Sequence, residues 1–117
     1  MDLEVVVSEF ASAVVAQQKA IEEGDARASN RAAKRYVRSF SILVSHGDRG
    51  RSLLKALFDH EEPYVRVMAA SYLLRYAEQD SLRILEAEAN AAGMVGFGAQ
   101  QALARWRDGT WALDLDV

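Results

Sequence analysis

A single proline, Pro63, interrupts 117 residues, and the glycines fall mostly between segments with helical spacing of apolar residues, so the chain can build little except helices joined by short turns. The first helix is expected from about Asp2 to Glu23, with Leu3, Val7, Phe10, Val14 and Ile21 on one stripe and Gly24 as its stop. Asp25 then suits the cap of a second long helix to about His46, whose apolar face carries Ala32, Ala33, Tyr36, Val37, Phe40, Leu43 and Val44. A short third helix follows Gly47 with Leu53, Leu54, Leu57 and Phe58, and Pro63 opens a fourth that is apolar nearly all round. Asp80 or Ser81 would cap a fifth, and a sixth runs from Gly93 through Trp106 to a stop at Asp108 and Gly109.

Half of the residues are apolar, which supplies a core for one domain of this length without disulfide or metal staples. The expectation is therefore a single domain over residues 1–117. Two long N-terminal helices occupy 1–47 and two shorter helix pairs 48–109. An extended tail occupies 110–117, where Trp111, Leu113, Leu115 and Val117 alternate with Ala112, Asp114 and Asp116. That tail is expected to fold back over the sixth helix or to reach into a neighbouring molecule.

An offset of thirty residues superposes the fourth helix on the sixth: Val65 on Val95, Ala69 on Ala99, Leu73 on Leu103, Tyr76 on Trp106, and Arg75 on Arg105. At about 100° per residue the apolar pairs share one stripe, so the two helices are expected to pack side by side with Val65, Leu73, Tyr76, Val95, Leu103 and Trp106 buried. The run from Tyr64 to Leu74, with its Val-Arg pair ahead of small residues and then Leu, resembles the second helix of a HEAT repeat. The stretch from Pro63 to Leu115 contains a Gly96-Phe97-Gly98-Ala99 start and an Arg105-Trp106-Arg107-Asp108-Gly109-Thr110-Trp111 end. It resembles an uncharacterised bacterial family, domain of unknown function twenty-nineteen. The resemblance implies an all-α fold, an α-α superhelix of HEAT or ARM type built from antiparallel helix pairs. It implies no established activity, and because some members lie near toxin–immunity loci it favours a binding role.

Chemistry finds few footholds. The chain has no cysteine, so thiol nucleophiles, thiolate zinc sites and iron–sulfur clusters are excluded. His46 and His60 fall at expected helix ends, where an imidazolium suits the negative end of the dipole, and the cluster Asp59, His60, Glu61, Glu62 lacks the second helical histidine of a zincin. Gly93, Gly96 and Gly98 imitate part of a dinucleotide fingerprint without the preceding strand. Glu86 and Glu88 point about 200° apart on one helix and cannot cooperate as a carboxylate pair. No catalytic residue, metal ligand or cofactor site is therefore expected.

Arg27, Arg31, Lys34, Arg35 and Arg38 fall within an arc of about 100° on the second helix with no acid between them. Either this ridge is an ordinary solvated face or it is an interaction surface. In the second case Arg31, Lys34 and Arg38, with Arg75 and Arg105 matched by the repeat, form the candidate interaction residues. The reading is a non-catalytic protein–protein interaction module for an acidic partner, a toxin antagonist being one form of it, acting as a monomer or homodimer. The alternative is a nucleic-acid-binding helical protein using the same ridge, against which stand the net charge of −3 and the lack of aromatics among the arginines. A second alternative is a small enzyme whose site only the fold assembles. Acids at Asp2 and Glu4, and no apolar run of membrane-spanning length, give cytoplasm as the expected location.

Overall fold

A computed structural model describes residues 1–111, and the expected alternation from Ala112 to Val117 lies outside them. The fold is all-α: six α-helices and one short 3₁₀ turn, with no strand among the described residues. The helices divide into two units, residues 1–57 and 58 onward.

In the first unit α1 spans Leu3–Glu22, α2 Ala26–Ser45 and α3 Gly47–Lys55. Short polar side chains set both long helices: Asp2 Oδ1 accepts from the Glu4 amide at 2.9 Å, and Asp25 Oδ1 accepts from the Ala28 amide at 3.0 Å. The connection between α1 and α2 is only Glu23, Gly24 and Asp25, so the two helices run back along each other as a hairpin. Phe10, Val14, Tyr36, Phe40 and Leu43 fill the seam. Phe10 and Tyr36 meet edge to face with centroids 6.0 Å apart, and the Tyr36 hydroxyl donates to Gln17 Oε1 at 3.1 Å. Burial pushes the Tyr36 phenol above its ordinary pKa.

The α1 stripe differs from expectation at both margins. Val6, Ala11 and Ala13 are buried, whereas Val7 is half-buried and Ile21, in the last turn of the helix, is 43% exposed. The break between α2 and α3 is a single residue, His46, whose Nδ1 lies 2.8 Å from the Ile42 carbonyl and so meets a terminal acceptor of α2. α3 then crosses close to that end: a Cβ at Gly50 would overlap the Leu43 carbonyl, so only glycine allows the approach. The 3₁₀ turn Ala56–Asp59 follows, with Phe58 buried.

In the second unit α4 spans Pro63–Tyr72, α5 Glu78–Glu88 and α6 Gly93–Asp108. Pro63 occupies the first turn of α4 as expected. α4 and α6 are in contact, and Val65, Leu73, Val95 and Leu103 are buried with Ala69, Ala70, Ala99 and Ala102 between them. Small residues in both helices let the backbones come close. Two members of the expected stripe depart from it: Tyr76 is 41% exposed and Trp106 is half-buried. The reason is that α4 ends at Tyr72 and residues 73–76 form a turn, so the last pair of the thirty-residue match is not helix against helix. Trp106 instead donates from Nε1 to Glu78 Oε2 at 2.9 Å, joining α6 to α5.

α5 begins earlier than expected. Its cap is Ala77, with Glu78 and Asp80 in the first turn, where carboxylates oppose the positive end of the helix dipole. Ser81 is no cap: it is fully buried and its hydroxyl has no hydrogen-bond partner among the described residues. At the start of α6 a Cβ on Gly96 would strike the Ala91 carbonyl, so the glycine is a steric requirement of the α5–α6 turn, with no ligand needed to explain it.

Candidate functional site

The basic ridge is carried by α2, a helix whose inner side is occupied by Ala32, Tyr36, Ser39, Phe40 and Leu43. Burying that stripe against α1 and α3 forces the residues between its members outward, and Arg27, Arg31, Lys34, Arg35 and Arg38 are all exposed. Residues four apart stack one above another on a helix. Two basic rows result: Arg27, Arg31 and Arg35 continue to Ser39, and Lys34 and Arg38 continue to Ile42.

Those rows run into a groove between α1 and α2, about 370 Å³ in volume and lined by Val5, Val6, Glu9, Arg35, Arg38, Ser39 and Ile42. Its lining is mostly apolar, with Val6 and Ser39 buried at the bottom and Val5 63% exposed on the α1 side. The acid on the lining, Glu9, accepts from Arg35 Nε at 2.6 Å. That hydrogen bond holds the Glu9 carboxyl below the ordinary glutamate range and raises the Arg35 guanidinium in turn. Arg35 is thereby paired. Arg27, Arg31, Lys34 and Arg38 have no acidic partner within 4 Å among the described residues.

Arg75 and Arg105 belong to the second unit. Both are exposed, but Arg75 stands in the turn after α4 while Arg105 stands in the last turn of α6, so the thirty-residue offset places them on different kinds of backbone. Arg105 adds to the field around Asp108, whose carboxyl is held below the ordinary aspartate range mainly by the hydroxyl and amide of Thr110. A second, more open hollow of about 300 Å³ lies at the α1–α2 turn, lined by residues including Ile21, Asp25 and Asn30, where the Asp25 carboxylate is already engaged as the cap of α2.

Two of the polar residues weighed for chemistry have structural partners. His60 Nδ1 accepts from the Glu62 amide at 3.0 Å, and Glu88 pairs with Arg66. Among the described residues no three of His, Asp or Glu come together as a metal-binding group. No helix among them is long and apolar enough to cross a membrane.

Sequence reading located the ridge but missed the groove beside it. The signal was present in the run Val5, Val6, Val7, which is too wide an apolar arc for one stripe, but only the pairing of α1 with α2 shows which of the three lines a recess.

No family model matches the sequence, and comparison with curated proteins gives no match. Among solved structures the chain is similar to the crystal structure of the protein RPA1889 from Rhodopseudomonas palustris CGA009, at 24% identity and a TM-score of 0.88 over 97% of this chain and 95% of that one. The likeness is one of all-helical fold.

Proposed function

We propose that this protein is a non-catalytic binding module whose α2 face receives an acidic protein partner. One observation carries the reading: Arg31, Lys34 and Arg38 are exposed along one helix, without an acidic partner among the described residues, in a chain whose net charge is −3. Glu9 pairs with Arg35, and these three have no such partner among the described residues. Three long cations left side by side repel one another, and an external anion relieves that repulsion. A HEAT-like arrangement of helix pairs suits such a role because its surface consists of side chains on rigid helices. Antagonism of a toxin is one form that such a role would take.

The test is capture from the native host with the wild-type protein and with a variant carrying Arg31→Glu, Lys34→Glu and Arg38→Glu. The expected result is one protein recovered by the wild type in purified form and lost by the variant, with the two melting temperatures nearly equal. Equal recovery returns the ridge to the status of a solvated face. Capture of nucleic acid in place of protein, with a steep loss of affinity as salt rises, transfers the ridge to the other reading.

A further inference from the structure

We infer that the α1–α2 groove seats an acidic amphipathic segment of the protein partner, with an aliphatic anchor between Val5 and Ile42 and carboxylates on Arg38, Lys34 and Arg31. This rests on the protein-binding reading above and narrows it to one seat and one kind of segment.

Three features of the groove converge on that occupant. Val5, Val6 and Ile42 give its lining an aliphatic part, and Val5 at 63% exposure is an apolar side chain held in water. An aliphatic anchor would remove it from solvent. The acid on the lining is already bound by Arg35, so an incoming carboxylate meets Arg38 without facing a free Glu9. Finally, the row from Ile42 through Arg38 to Lys34 descends by about 6 Å per step, which is also the rise between residues four apart on a partner helix. An apolar residue followed by acids at that pitch sets its anchor on Ile42 and its carboxylates on Arg38 and Lys34 in turn.

Charge and shape together disfavour a nucleic-acid strand here. Phosphates would pair with the basic row, but the lining has no aromatic ring for a base to stack on, and Val5 would stay wet.

The experiment is fluorescence anisotropy on the full chain with three labelled probes. The first is a helical peptide of glutamates with leucines at every third or fourth position, the second is the same peptide with each leucine replaced by serine, and the third is an oligothymidylate of equal charge. The leucine–glutamate peptide is expected to bind about tenfold more tightly than the other two. Val5→Ser or Ile42→Ser should weaken that peptide about fivefold or more, and the doubly reversed Lys34→Glu, Arg38→Glu protein should weaken both peptides.

Equal affinity for the leucine and serine peptides overturns the groove as a seat while leaving a charge-driven protein partner standing. Tighter binding of oligothymidylate overturns both readings, and no binding of any probe overturns this inference. Should the serine variants fold poorly by circular dichroism, a photo-crosslinker at a leucine position maps the contact on the wild type. Attachment to α1 or α2 at the groove supports the inference, and attachment elsewhere rejects it.

Discussion

The guanidinium of Arg66 grips the carboxylate of Glu88, with Nε donating to Oε1 at 2.8 Å and Nη2 at 2.7 Å, while Nη1 donates to the backbone carbonyl of His60 at 2.8 Å. One side chain thus ties the start of α4, the loop ahead of it and the end of α5. Both partners are largely sheltered, with side-chain exposures of 25% and 16%. Replacing Arg66 by alanine leaves Glu88 charged and half-buried without its partner, and is expected to destabilise the fold by about 2–4 kcal/mol. Urea unfolding checks it; a loss under 1 kcal/mol would mean that water serves Glu88 equally well.

Ser81 offers a gain. Its hydroxyl is enclosed in the core with no partner among the described residues, and alanine also suits the first turns of α5 better. Ser81→Ala is expected to raise stability by about 1 kcal/mol, read as an increase in the denaturant midpoint at unchanged slope. A decrease would reveal a hydrogen bond formed in solution.

Gly50 is the point at which α3 can pass the end of α2. The smallest added side chain forces a shift because the obstacle is the Leu43 backbone carbonyl. Gly50→Ala should therefore cost on the order of 1–3 kcal/mol despite the better helix propensity of alanine. Gly98 supplies the contrast, since a Cβ there meets only Val67 at 4.0 Å, and Gly98→Ala should be neutral or stabilising.

The Glu9–Arg35 pair makes a pH-dependent prediction. The folded-state carboxyl is depressed, so its contribution is present above the ordinary glutamate range and is lost as pH falls through the lower folded value. Both side chains are nearly half exposed, which limits the pair to about 0.2–1 kcal/mol. Glu9→Gln should thus be slightly less stable than the wild type at neutral pH and equal to it in strong acid. The same change releases Arg35 and should tighten binding of an acidic peptide; weaker binding would show that Glu9 itself contacts the partner.

Features governed by neighbours along the chain were legible beforehand. Asp2 and Asp25 cap because the bond spans two or three residues, and Pro63 starts α4 for reasons internal to proline. The all-helical fold followed from spacing alone. Features that depend on which helix meets which were not legible: Glu9 and Arg35 are far apart in sequence, as are Arg66 and Glu88, and nothing local marks either pair. The extent of α4 was misjudged for a related reason, since Leu73 and Leu74 are buried as fully in the following turn as they would be in a helix, and hydrophobicity cannot distinguish the two. The ridge was legible as a pattern, but its boundary with an aliphatic recess was not.

Arg27 and Arg38 are separated by about 16 Å along α2, whereas successive members of each row stand only about 6 Å apart. At physiological ionic strength, where the screening length is about 8 Å, each cation feels its neighbour but the two ends of the ridge scarcely sense each other. An approaching anion is therefore attracted locally at every point along the helix and has no single centre toward which to fall. On the proposed binding role, capture would be a short one-dimensional search that ends where an apolar side chain finds Val5 and Ile42, and added salt should slow arrival far more than it hastens departure.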